Sequence, residues 1–184
     1  MRVLLFTLLL LPSMYLGLKV FYFQDLIDPI KYIYTFTGAV AITLLFVTTT
    51  LSLIKSKINL IKYRRQIGLF AFFYALLHML NFIVFDMELQ IVFAIKETLD
   101  KPFIYLGMIS FLILLFMAIT SFKKLYAKYN AYHKAIYVVL LLTTIHFVMA
   151  QKALSLSQWF YLALMMLIMT LKLKQRVISK SNML

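Results

Sequence analysis

Cysteine is absent from this chain. Its absence excludes thiolate metal sites, iron–sulfur clusters, haem attached through a CxxCH motif, and disulfides. Acidic residues are nearly as scarce, six against nineteen Lys and Arg in 184 residues. All six (Asp25, Asp28, Asp86, Glu88, Glu97, Asp100) fall between the apolar runs and none falls inside one. That removes the intramembrane carboxylates typical of ion-coupled transporters. It also leaves no carboxylate or thiolate at membrane depth to complete a zinc or copper ligand set. Charged residues make up 14% of the chain and hydrophobic residues 64%. An ordinary soluble domain is about half apolar and about a quarter charged. With a mean hydropathy of +0.94, the composition is that of an integral membrane protein with no room for a separate soluble domain.

What the chain does have is a series of long apolar runs. Six are expected as transmembrane helices: 3–23, 33–54, 64–85, 102–121, 131–150 and a shorter 155–172. Each is close to the ~20 residues that cross a bilayer core at about 1.5 Å per residue. The expected architecture is therefore a single all-α transmembrane domain over 1–184, a six-helix bundle. The first run is long for a signal peptide and lacks an A-x-A-like exit, so it reads as a retained helix, bent by Pro12 and Gly17. Lys101-Pro102 opens the fourth run with proline near the first turn. The connection DMELQIVFAIKETLDK, 86–101, is amphipathic enough for an interfacial helix, as a docking surface or a plain connector.

The basic residues orient the bundle. Fourteen of the nineteen fall on one side: Arg2, then Lys55, Lys57, Lys62, Arg64 and Arg65, then Lys123, Lys124, Lys128 and Lys134, then Lys172, Lys174, Arg176 and Lys180. The six acids fall in the opposite connections. The positive-inside rule places both termini in the cytoplasm. The net charge of +13 is thus a topology signal and not the footprint of a nucleic-acid partner.

The third run carries the most telling residue. Ile67 to Phe85 reads IGLFAFFYALLHMLNFIVF, with His78 well inside it. An imidazole at membrane depth is costly without a partner and is a functional-site candidate by default. Gly68, Ala71 and Ala75 lead up to it on the same face and leave room for a neighbouring helix or a flat ligand. The other two histidines, His133 and His146, lie on the fifth run. Thirteen residues separate them by about 20 Å along a helix, so only His146 is near the level of His78. Two imidazoles level on two helices suit bis-histidine haem ligation inside a bundle. A zinc or copper site and packed structural histidines remain alternatives. His133 has no such partner: the same thirteen-residue step back from His78 reaches Arg65, which is no ligand. His133 is left open between a second cofactor, a quinone and a backbone carbonyl. Arg64 and Arg65 read as inner anchors or as ligands for phosphate or haem propionate. The Gly107, Ser110, Ala118, Ser121 stripe reads as helix packing, and Thr48, Thr49 and Thr50 as bonding their own backbone.

Four stretches carry a resemblance: RRQIGLFAFFYALLHMLNF, DKPFIYLGMISFLILLFMAITS, YNAYHKAIYVVLLLTTIHFVMAQK and, in the second run, TGAVAITLLFVTTTLSLIKSK. Together they resemble the MsrQ (YedZ) family, haem-binding membrane subunits of the periplasmic protein-methionine-sulfoxide reductase system within the ferric-reductase-like transmembrane superfamily. The most specific parts are RRxxGL followed by the third-span histidine, and the fifth-span histidine pair with twelve residues between. The resemblance covers about residues 30 to 152. It implies a bacterial inner-membrane protein that takes electrons from the quinone pool, passes them through b-type haem, and delivers them to a soluble periplasmic molybdenum-cofactor reductase that repairs oxidised methionine. The haem ligands it implies are His78 and His146, with His133 as a further candidate. It also implies FMN, for which no motif here provides a place. Where the family often has Trp four residues before the first fifth-span histidine, this chain has Tyr129. A ferric or other metalloreductase subunit is the nearest alternative. A non-haem transporter or assembly protein is the alternative from another class, and haem content separates it outright.

Overall fold

The structure, a computed structural model, describes residues 2–23, 26–53, 60–151 and 155–181. Asp25, Ile54, Lys55 and Lys57 lie outside the described residues. Among the described residues the chain is all-helical, with no strand. Five stretches are long and apolar enough to cross a membrane: Arg2–Tyr22, Pro29–Leu53, Ile61–Asp86, Pro102–Ile119 and Lys123–Met149. They correspond to the first five expected spans. The sixth lies within a longer helix whose apolar part, Gln158–Lys172, is shorter than the other five.

Helix α1 (Arg2–Gly17) passes at Gly17 into a π-helical stretch, Leu18–Phe23. Its proline is accommodated by a neighbour. Pro12 disrupts the i→i−4 ladder of its helix, and the hydroxyl of the fully buried Tyr74 enters there. The Ser13 N–H donates to the Tyr74 hydroxyl at 3.0 Å, and that hydroxyl donates to the Leu9 carbonyl at 2.8 Å. One phenol thereby satisfies two backbone groups that lipid could not.

Helix α2 (Pro29–Leu53) begins four residues earlier than expected. Proline stands at its first position, and the Asp28 carboxylate accepts the Lys31 N–H at 2.9 Å, an N-cap. Helix α3 (Arg64–Asn81) continues as a π-helical stretch, Phe82–Asp86. The chain then turns through Glu88 and Leu89, both at positive φ (47° and 62°), into α4 (Ile91–Asp100). It fills the 86–101 connection, where a helix was expected. Ala94 and Thr98 are buried, while Ile91, Val92, Ile95 and Leu99 are exposed. Helix α5 (Pro102–Ile119) leads to the short α6 (Lys123–Tyr129), a 3-10 stretch Asn130–Ala135, and α7 (Ile136–Met149). Helix α8 (Leu156–Ser181) starts from a capping box, with Ser155 and Gln158 bonding each other's backbone N–H.

Two helix pairs dominate the packing, α2 with α3 and α5 with α7. Contacts of α3 with α5 and of α2 with α7 join them into a four-helix bundle, with α1 on the α2–α3 side, α8 against α2 and α4 against α5. Leu45, Ala71, Leu114, Val139 and Leu140 form the central core. A second cluster, including Leu9, Ala41, Phe70 and Tyr74, fixes α1. The small-residue stripe on α3 packs against α2 at one end and borders a cavity at the other. A side chain on Gly68 would meet Thr48 of α2, and Ala71 is fully buried. Ala75 and His78 line an internal cavity. Thr48 and Thr49 bond their own helix carbonyls as expected, at 2.8 and 3.1 Å.

Candidate functional site

A cavity of about 690 Å³ lies within the bundle, lined by α2, α3, α5, α7 and part of α8, and its lining reaches the α4 end. Its size is in the range of pockets that bury a small organic ligand. The charged lining residues (Lys31, Asp86, Glu97, Lys101) all come from the helix ends and connections at the α4 end. Deeper in, the lining is Leu45, Phe46, Leu114 and Met165. The cavity is therefore polar at one edge and greasy at the other.

His78 of α3 and His146 of α7 face each other across this space. Their ring centroids are 6.2 Å apart and their planes nearly perpendicular, at 89°. Both line the cavity. Each ring is fixed through the same atom. His78 Nδ1 lies 3.2 Å from the Tyr34 carbonyl of α2, and His146 Nδ1 lies 2.6 Å from the Phe103 carbonyl of α5. A carbonyl only accepts, so Nδ1 carries the proton and Nε2 keeps its lone pair. That is the tautomer a metal-ligating histidine has when its other nitrogen donates to a carbonyl. The Thr37 hydroxyl lies a further 3.4 Å from His78 Nδ1. It donates to the Ile33 carbonyl at 2.6 Å.

Each ring also rests over a glycine of the neighbouring helix. A Cβ at Gly38 would come within 3.2 Å of His78 Cε1 and Nδ1, and one at Gly107 within 2.9 Å of the same atoms of His146. Tyr34 contributes twice more, with its ring edge-on to His78 at 5.2 Å and its hydroxyl donating to Asp86 at 2.7 Å. Phe103 stacks on His146, with centroids 6.2 Å apart.

The other candidates lie elsewhere. His133 sits in the 3-10 stretch at the far end, with Nε2 3.0 Å from the Thr120 hydroxyl and its ring 4.9 Å from that of Tyr126. It does not line the cavity. Arg64 and Arg65 begin α3, about 20 Å along the helix from His78, and do not line the cavity either. Tyr129 packs edge-on to Phe116. Among the described residues no cluster of three or more His, Asp or Glu could hold a metal ion.

Tyr34, Gly38, Phe103 and Gly107 were not apparent as site residues from the sequence. Gly107 was expected only to pack helices, yet its surface seats an imidazole. A signal was present: YTFTG (34–38) and FIYLG (103–107) both place an aromatic four residues before a glycine.

Residues 37–144, more than half the chain, match the family described as ferric reductase like transmembrane component. Curated relatives share the similarity. Over 183 residues the chain is 34% identical to the protein-methionine-sulfoxide reductase heme-binding subunit MsrQ of Pectobacterium atrosepticum, covering 95% of this chain and 92% of the relative. The chain belongs to the MsrQ family. The Agrobacterium fabrum member is 37% identical over 120 residues, 63% of this chain and 56% of its own length. The Brucella ovis member is 34% identical over 132 residues, 68% and 60%. The chain thus spans little more than half of the Agrobacterium relative but nearly all of the Pectobacterium one. Family and helices together make it a multi-pass membrane protein.

Proposed function

We propose that this chain is the membrane haem subunit of a protein-methionine-sulfoxide reductase, with His78 and His146 as the two axial ligands of one b-type haem. The observation that carries the reading is the pair of imidazoles 6.2 Å apart across a cavity, each with Nδ1 committed to a carbonyl. Two imidazole–metal bonds of about 2 Å, plus the two ring radii, give a centroid separation of roughly 6 Å. Bound there, b-type haem would supply one-electron transfer. Held between His78 and His146, the haem would offer no free site to a substrate, so methionine sulfoxide would be reduced on a separate partner.

The chain's own residues give the site a direction. The greasy inner lining suits the porphyrin face, and the polar α4 end suits its carboxylate edge. Lys31 and Lys101 are the cations there. Lys101 is already paired with Glu97 at 2.6 Å, which leaves Lys31 as the freer counter-charge. By the positive-inside rule both termini are cytoplasmic and the α4 end faces the periplasm. The cavity then opens toward a soluble partner, proposed to be a molybdenum-cofactor reductase. The donor is proposed to be the quinone pool of the bacterial inner membrane. FMN belongs to the proposal as a second cofactor without assigned residues.

The test is a quinol-driven reduction of the purified protein followed by addition of the periplasmic reductase with an oxidised-methionine substrate. Haem bands that appear with quinol and decay on adding partner and substrate are expected. Bands that no quinol reduces, or that the partner leaves unchanged, would refute the proposed route. Rapid reoxidation by a ferric chelate alone would favour the metalloreductase reading that the family description suggests.

A further inference from the structure

One holding device is used twice in this bundle, and it turns on glycine. In an α-helix each Cα–Cβ bond tilts toward the N-terminus, so a side chain covers the turn before its own Cα. The side chain of residue i+4 therefore shields the carbonyl of residue i from an approaching group. Gly38 stands four residues after Tyr34, and Gly107 four after Phe103. Those two carbonyls are the ones that the imidazoles reach.

We infer that Gly38 and Gly107 are positioning residues of this site: each leaves a helix carbonyl open to an imidazole Nδ1–H and so fixes Nε2 as the nitrogen offered to iron. The inference rests on the haem reading above. The two seats are unequal. At Gly107 an added Cβ would lie 2.9 Å from two atoms of His146, and the single acceptor is close, at 2.6 Å. At Gly38 the clearance is 3.2 Å, and Nδ1 lies between the Tyr34 carbonyl at 3.2 Å and the Thr37 hydroxyl at 3.4 Å. An alanine at 107 must push the ring off its carbonyl. An alanine at 38 needs a shift of a few tenths of an ångström.

The chain supplies its own controls. A Cβ at Gly17 meets nothing within 4 Å, and one at Gly68 meets only Thr48 Cγ2, at 3.9 Å. Alanine is the better helix former at any interior helix position. Gly17→Ala and Gly68→Ala should therefore leave the haem-free protein at least as stable as the wild type, and the haem-free stability of Gly38→Ala and Gly107→Ala shows whether a loss of haem affinity there exceeds the cost of the clash itself.

The experiment measures haem affinity, the low-spin ferric EPR signal and haem-free thermal stability for the four variants. Gly107→Ala is expected to lose about 10- to 100-fold in haem affinity, the range for losing an outer-shell partner, and to shift its EPR signal. Gly38→Ala should lose less, and Gly17→Ala and Gly68→Ala nothing. Wild-type affinity and an unchanged signal in Gly107→Ala would overturn the inference. A second measurement does not depend on haem: ¹⁵N NMR of the histidines in the haem-free protein. Nδ1-protonated rings at His78 and His146 are expected in the wild type. Nε2-protonated rings there would overturn the inference even if Gly107→Ala failed to fold. A wild type that binds no haem but shows the Nδ1–H tautomer would sink the haem reading and leave the seats standing.

Discussion

The two ends of the bundle hold histidine in opposite ways. At the α4 end, His78 and His146 each commit Nδ1 to a backbone carbonyl and line an open cavity. At the other end, His133 commits Nε2 to the Thr120 hydroxyl, packs on Tyr126, and lines no part of that cavity. All three are intramembrane histidines by sequence. The two arrangements differ in which ring nitrogen is occupied and in whether the ring lines the cavity. The same contrast applies to the basic residues. Arg64 and Arg65 begin α3 and do not line the cavity, while Lys31 and Lys101 do.

The sharpest way to break the comparison is to remove the histidines one at a time. His78→Ala and His146→Ala should each abolish the bis-histidine haem, read as loss of the reduced b-type bands. His133→Ala should retain them. Next in size is Tyr74→Phe, which leaves the Ser13 N–H and Leu9 carbonyl at Pro12 without their bridge. Stranding buried polar groups costs about 1–3 kcal/mol, so thermal or denaturant unfolding should show that loss while the haem spectrum stays unchanged. Smaller again is Lys31→Gln. The side chain is exposed, so haem affinity should drop at most about fivefold, with the difference shrinking as salt is raised. A drop of a hundredfold would place the carboxylate edge far closer to Lys31 than an exposed counter-charge requires. Thr120→Val marks the null end of the scale. It removes the His133 contact and should leave haem content and bands as in the wild type.

Much of this site was legible because helices in a membrane obey simple arithmetic. Apolar runs fixed the spans, and the rise per residue put His78 and His146 near one level and His133 about 20 Å away. The Gly68, Ala71, Ala75 stripe announced a face with room on it. The seats themselves were not legible. Whether Gly38 lies under His78 or faces lipid depends on how α2 crosses α3, which no spacing within either helix records. The aromatic–glycine repeat in YTFTG and FIYLG gains meaning only once an imidazole is found over each glycine. Tyr74 is a similar case. Its helix reads as apolar, and its role follows from Pro12, more than sixty residues away. His133 was left open because the matching level on the third span carries Arg65, which is no ligand; the structure puts it in a 3-10 stretch against Thr120 and Tyr126.

The most direct measurement is a dithionite-reduced minus oxidised visible spectrum of the purified wild type, His78→Ala, His146→Ala and His133→Ala, expressed with haem in excess. Sharp b-type bands in the wild type and His133→Ala, absent from both other variants, are the expected result. Bands that persist in His78→Ala and His146→Ala but vanish in His133→Ala would contradict the placement of the haem at the α4 end.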